Sequence, residues 1–126
     1  MAKDTRTERA QRSFRETAMS DAFKVRDLEP EEVARGIREG RMLLVDVREP
    51  NETMVESYPD AVVVPLSSFD PAGIPDPAGK EVVFACRSGK RSVTASLAAQ
   101  EKGYRYDAHL AGGIIAWKAA GLPTKT

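Results

Sequence analysis

Three short apolar runs, residues 42–47, 61–64 and 82–85, are separated by connections of a dozen or more residues. That spacing constrains the fold more than anything else in the chain. Antiparallel neighbours can be joined by a turn of two residues or so, whereas parallel neighbours need a crossover of about a dozen. Runs that are continuously apolar, such as Met42-Leu43-Leu44-Val45 and Val82-Val83-Phe84-Ala85, read as strands covered on both faces. The expected architecture is a three-layer α/β domain, a parallel sheet with helices on both sides.

Helix signals lie between the runs. Glu29-Pro30-Glu31-Glu32 places proline and acids in a first turn, Val33 and Ile37 share a face, and Gly40 closes the helix, although Gly36 weakens its middle. Residues 51–56 predict a short helix, Tyr58-Pro59-Asp60 a turn, and residues 71–79 an irregular Pro- and Gly-rich connection. Residues 92–100 predict a helix ending before Gly103, and Gly112-Gly113 opens another that carries Ile114 and Trp117 and ends at Gly121 and Pro123. Two alternating stretches complete the sheet, Phe23-Lys24-Val25-Arg26 as an edge strand and residues 104–110. Tyr104 and Tyr106 then read as packing residues at the sheet's edge, His109 as a structural histidine and Trp117 as helix core. Sites in such sheets form beyond the carboxyl ends of strands, which brings Asp46, Cys86 and the residues after Leu110 to one edge.

The chemistry concentrates where Val82-Val83-Phe84-Ala85 runs into Cys86-Arg87-Ser88-Gly89-Lys90-Arg91-Ser92. The sulfur sits between a strand's end and a helix's beginning, where unpaired N–H groups and the helix dipole favour an anion. Arg87, Lys90 and Arg91 follow closely, and no acidic residue occurs from Val82 through Gln100. Such surroundings lower a cysteine pKa from about 8.5 toward roughly 3.5–7.5. Cys86 is therefore a candidate nucleophile. A buried, inert cysteine is the competing reading, and the basic loop directly after it favours the nucleophile.

Lys plus Arg and Asp plus Glu both total 19, so charge gives no case for nucleic acid or an acidic membrane surface. One cysteine excludes an internal disulfide, and one histidine leaves no Cys/His zinc site. No apolar run approaches the roughly 20 residues of a membrane span, and no secretion-signal core opens the sequence, so the expected address is the cytoplasm. Residues 1–20 offer only Phe14 and Met19 as large apolar side chains besides Met1. They are expected to form a disordered basic tail, leaving residues 21–126 as one domain.

Three motifs, Val45-Asp46-Val47-Arg48-Glu49-Pro50, the loop from Cys86 to Ser92, and Ala111-Gly112-Gly113-Ile114-Ile115-Ala116-Trp117, together resemble single-domain rhodaneses, the thiosulfate sulfurtransferases. The resemblance runs from about Phe23 to Pro123. It implies a rhodanese-like domain with a five-stranded parallel sheet, in which Cys86 accepts a sulfur atom as a persulfide and passes it on. By the same resemblance Arg87, Ser88, Gly89, Lys90, Arg91 and Ser92 surround the persulfide and the donor's sulfonate end. Asp46 and Arg48 match a supporting motif rather than a catalytic one. The implied partners are a small thiosulfate-like donor and a thiol or cyanide acceptor, with a sulfur-accepting protein as a further candidate; no cofactor, metal, nucleic acid or membrane is implied. The sequence departs at Glu56-Ser57-Tyr58-Pro59-Asp60-Ala61, where the family commonly reads Gly-His-Ile-Pro-Gly-Ala, and this changes the loop beside the pocket.

Two other function classes remain in view. A cysteine and an arginine around an anion-binding loop also suit a phosphatase or arsenate-type enzyme. Protein tyrosine phosphatases, however, carry a longer loop than the four residues between Cys86 and Arg91, and this loop has no acid to protonate a leaving group. A non-catalytic interaction module is the third reading, and the intact Cys86 with its cations argues against it.

Overall fold

The computed structural model describes residues 23–126, so the expectation of a disordered tail over 1–20 lies outside the described residues. Five parallel strands form one sheet: β1 (Arg26–Leu28), β2 (Met42–Asp46), β3 (Val62–Val63), β4 (Glu81–Ala85) and β5 (Ala108–Leu110), in the order β1-β5-β4-β2-β3. Among the described residues four α-helices cover it: α1 (Pro30–Arg38), α2 (Pro50–Thr53), α3 (Lys90–Glu101) and α4 (Gly113–Ala119). Two 3₁₀ turns, Leu66–Ser68 and Pro71–Gly73, lie within the connection from β3 to β4.

The period of two along a strand sorts the side chains into two cores. On one face Met42, Leu44, Val83, Ala85, Ala108 and Leu110 pack with Val33 and Ala34 of α1 and with Ile114 and Trp117 of α4. On the other face Val45, Val82, Phe84 and Cys86 pack under Ala95 and Ala99 of α3, with Ile74 from the 3₁₀ connection. The three-layer, five-stranded parallel architecture expected from the sequence is thus present. Gly36 has a packing reason: a Cβ there would lie 2.7 Å from Met42 Cγ, so glycine lets α1 press against the start of β2.

The strands differ from expectation at their ends: one is displaced, and the expected runs 42–47, 61–64 and 104–110 are each longer than the strand formed. The expected edge strand 23–26 is replaced by Arg26–Leu28, whose register runs Arg26 beside Ala108, Asp27 beside His109 and Leu28 beside Leu110. Before it the Lys24 carbonyl accepts a hydrogen bond from the Gln100 side chain at 2.9 Å instead of from a neighbouring strand. The expected strand 104–110 contracts to Ala108–Leu110, all buried. Ser96 Oγ donates to the Tyr106 carbonyl at 2.7 Å and takes that group out of strand pairing. Tyr104 and Tyr106 therefore precede the strand and pack beside Phe84 on the α3 face, not at the sheet's edge, because β5 lies between β1 and β4. Among the described residues no helix is long and apolar enough to cross a membrane.

Candidate active site

Cys86 follows the last residue of β4 and is fully buried, and the chain then wraps around its sulfur before entering α3. Gly89 makes this possible with a φ of 105°, a left-handed conformation that costs an L side chain energy. The Gly89 N–H donates to Cys86 Sγ at 3.1 Å, and the thiol donates to Ser92 Oγ at 3.6 Å. Burial pushes the Cys86 thiol up, but hydrogen bonds from Ser92 and from the amides of Gly89 and Ser88 outweigh it and leave the thiol below its ordinary value. Hydrogen bonds lead this lowering; the cations emphasised in the sequence are secondary. The arrangement can hold an anion on sulfur without a metal or a directly bonded acid.

The loop is anchored from below by α4 and from the side by Tyr58. Ile114 N–H donates to the Cys86 carbonyl at 2.9 Å, and Ile115 N–H to that of Arg87 at 3.2 Å. Gly113 must be glycine for this approach, since its φ is 61° and a Cβ would lie 2.6 Å from the Cys86 carbonyl oxygen. The Tyr58 hydroxyl donates to the same Cys86 carbonyl at 2.7 Å. Burial raises the Tyr58 phenol far above its usual value, so it stays a neutral donor. The departure from the family pattern at residues 56–61 thus places a side chain directly on the backbone of Cys86, a role invisible in a segment that reads as a turn.

Asp46 and Arg48 form a buried ion pair at 2.8 Å, with side chains 0% and 5% exposed. Arg48 also donates to the Glu56 carbonyl at 3.0 Å and lies 5.5 Å from the centre of the Tyr58 ring. The pair therefore fixes the segment that carries Tyr58, the supporting role its motif implies.

The other loop residues divide by direction. Arg87, Ser88 and Lys90 are exposed around the buried sulfur. Arg91 instead turns to Glu52 of α2 in a two-pronged contact at 2.7 and 2.9 Å. This contact holds the Glu52 carboxyl down at about 2. Ser92 is buried and donates to the Gly89 carbonyl at 3.1 Å while lying 2.8 Å from His109 Nδ1. His109 does make hydrogen bonds, as a structural histidine would, but its neighbour is the residue that touches the sulfur. An open groove of about 520 Å³ runs along this side, lined by Asp27, Ser88, Gly89, Lys90, Val93, His109, Ala111 and Gly112. A more enclosed apolar pocket of about 170 Å³, between Ala34, Leu44, Trp117 and Leu122, includes no residue of the loop and lies apart from this chemistry.

Comparison with known proteins places most of the described residues in one family. The rhodanese-like domain model matches residues 29–120. A sulfurtransferase of Allochromatium vinosum is 40% identical over 82 residues, covering 65% of this chain and 77% of the relative. A protein of Synechocystis is 45% identical over 83 residues, covering 66% of this chain, which spans only 46% of that relative's length. Thiosulfate:glutathione sulfurtransferase of Saccharomyces cerevisiae is 34% identical over 99 residues, covering 68% of this chain and 71% of its own. Among solved structures, a Rhodopseudomonas palustris protein described as a possible tyrosine phosphatase superposes with a TM-score of 0.67 at 26% identity, covering 86% of this chain and 89% of that one. Matched over most of its length by the family model, and with relatives named sulfurtransferases, the chain belongs to the rhodanese-like domain family.

Proposed function

We propose that this protein moves a sulfane sulfur from a thiosulfate-like donor to a thiol or cyanide, with Cys86 carrying the sulfur as a persulfide. The observation that carries this reading is the sulfur itself, held by the Gly89 N–H and Ser92 at a helix N-terminus with its thiol lowered. A thiolate there attacks the outer sulfur of the donor; a new S–S bond forms at Cys86, the donor's S–S bond breaks, and sulfite leaves with the electron pair. The loop amides and the dipole of α3 then hold the persulfide anion with no reorganisation of solvent. Exposed Arg87 and Lys90 meet the donor's sulfonate before it reaches the sulfur. A thiol or cyanide takes the outer sulfur and Cys86 returns as a thiolate. The sulfurtransferases among the relatives support this reading, and a cytoplasmic setting, where small thiols are reduced, suits the acceptor.

The test is transfer from thiosulfate to cyanide and to glutathione, run beside hydrolysis of an aryl phosphate. We expect sulfur transfer, a mass gain of about 32 Da on the protein treated with thiosulfate alone, and loss of both in Cys86→Ser, because a serine cannot form the covalent sulfur intermediate. Phosphate release without sulfur transfer would replace this reading with the phosphatase one. A folded wild-type protein inert in both assays would leave the interaction module.

A further inference from the structure

The chain of hydrogen bonds that begins at Cys86 does not stop at Ser92. Ser92 Oγ lies 3.6 Å from the sulfur and 2.8 Å from His109 Nδ1, and the far nitrogen, Nε2, lies 2.6 Å from Asp27 Oδ1. The register of β1 on β5 sets Asp27 directly beside His109, on the face that α3 covers. The His109 side chain is 5% exposed and that of Asp27 is 72% exposed. An ionisable ring is thus buried between the serine that touches the reacting sulfur and a carboxylate that opens to water in the groove beside Lys90.

Donor and acceptor counting fixes what this chain can do. An ionised Asp27 only accepts, so Nε2 carries a hydrogen. Ser92 has one hydroxyl hydrogen. With Cys86 as a thiol, the S–H points to Ser92 Oγ and the Ser92 hydrogen to Nδ1 or to the Gly89 carbonyl. With Cys86 as an anion, the Ser92 hydrogen turns to sulfur, and Oγ can accept a second proton-bearing donor from Nδ1. The two states hold the same number of protons and differ in charge placement: sulfur has lost one proton and the imidazole has gained one.

We propose that Ser92, His109 and Asp27 form a proton relay that takes the proton of Cys86 and keeps a positive imidazolium opposite the anionic sulfur. The step is Cys86–SH plus neutral His109 giving Cys86–S⁻ plus protonated His109; two hydrogens shift along the chain and nothing is oxidised or reduced. The proposal rests on the reading of Cys86 as the sulfur carrier and adds the group that balances its charge. Ser92 contacts the reacting atom, whereas His109 acts through Ser92 and is a positioning residue. The charged and titratable groups that face the ring are Asp27 from β1, Cys86 from the end of β4, and Lys90, which opposes the imidazolium from the start of α3.

His109 is the chain's one histidine, so full-length protein without a tag gives a single set of imidazole NMR signals. The experiment titrates those signals with Cys86 free, alkylated by iodoacetamide, and replaced in Cys86→Ala. Removing the thiolate should move the His109 midpoint to lower pH by about one unit, a tenfold change in proton affinity, and reciprocity requires the ring to act equally on the thiol. His109→Gln should accordingly slow alkylation of Cys86 roughly tenfold at pH values below the thiol's midpoint and not at all well above it. Asp27→Asn should act in the same direction but less, its carboxylate being exposed and screened. If the His109 midpoint is the same in all three forms of Cys86, the relay is overturned, and the unsubstituted chain decides this even should His109→Gln fail to fold. Neither readout involves thiosulfate, so failure of sulfur transfer and failure of the relay are distinguishable.

Discussion

The Cys86 carbonyl is held by two donors, one from the backbone of α4 and one from the Tyr58 hydroxyl, and the two are not equivalent in what they stabilise. Removing the hydroxyl in Tyr58→Phe leaves the carbonyl satisfied by Ile114 and keeps the ring against Trp117, at 5.4 Å between centroids, and under Arg48. The expected cost is therefore that of one net hydrogen bond, about 1 kcal/mol in urea denaturation. Tyr58→Ala also empties a buried space and should cost about 3–5 kcal/mol. Equal losses for the two variants would show that the hydroxyl, not the ring, matters. Legibility at this scale follows sequence distance. Cys86 and its loop amides were readable because strand, sulfur and helix N-terminus are contiguous. Tyr58, 28 positions away, and Asp27, 82 positions from His109, reach the site only through the fold, and no local pattern marks them.

At the scale of elements, the site is a junction of helix starts, and each junction makes a separate claim. Gly113 lets α4 dock against the loop, so Gly113→Ala introduces both a left-handed alanine and a collision with the backbone of Cys86. Gly121 has a similar φ of 79° but open space around it. We expect Gly121→Ala to cost about 1 kcal/mol and Gly113→Ala clearly more, with slower alkylation of Cys86 only in the latter. Similar losses would mean that α4 does not set the loop. The second junction is Arg91 on Glu52, which ties α3 to the one-turn helix α2. Because the folded Glu52 carboxyl sits at about 2, below its ordinary value of 4.5, its stabilisation is complete above the ordinary value and is lost as pH falls from there toward 2. Both groups are partly exposed, so screening limits the effect to about 1 kcal/mol. Glu52→Gln should thus destabilise the protein at pH 7 and converge with wild type as pH approaches 2. Helix existence was legible from prolines, glycines and apolar spacing, and α1, α3 and α4 lie close to where the sequence puts them. Strand ends were less so, since Ser96 and Gln100 on α3 occupy carbonyls that the alternating patterns would assign to the sheet.

For the molecule as a whole, the layer order follows from crossover spacing and period two alone, but what couples the sheet to the site is a buried charge pair. Asp46 at the carboxyl end of β2 holds Arg48, Arg48 holds the Glu56 carbonyl and lies over Tyr58, and Tyr58 holds Cys86. Inside a protein such a pair contributes little net stability against an apolar replacement, yet removing one partner strands the other without a counter-charge. Asp46→Ala should therefore cost about 3–5 kcal/mol, a large part of the roughly 5–15 kcal/mol that stabilises an ordinary domain. At about 4–8 °C for each kcal/mol, Tm should fall by more than about 12 °C. The double variant Asp46→Leu with Arg48→Met removes both charges and should recover much of that loss, leaving the Glu56 carbonyl and the Tyr58 ring less well held. Thermal melts of the two singles and the double form a cycle whose coupling isolates the pair. A single Asp46→Ala variant melting within a few degrees of wild type would mean that Arg48 finds water in its place, and that the hydrogen bonds from α4 and Tyr58 hold the loop around Cys86 without the charge pair.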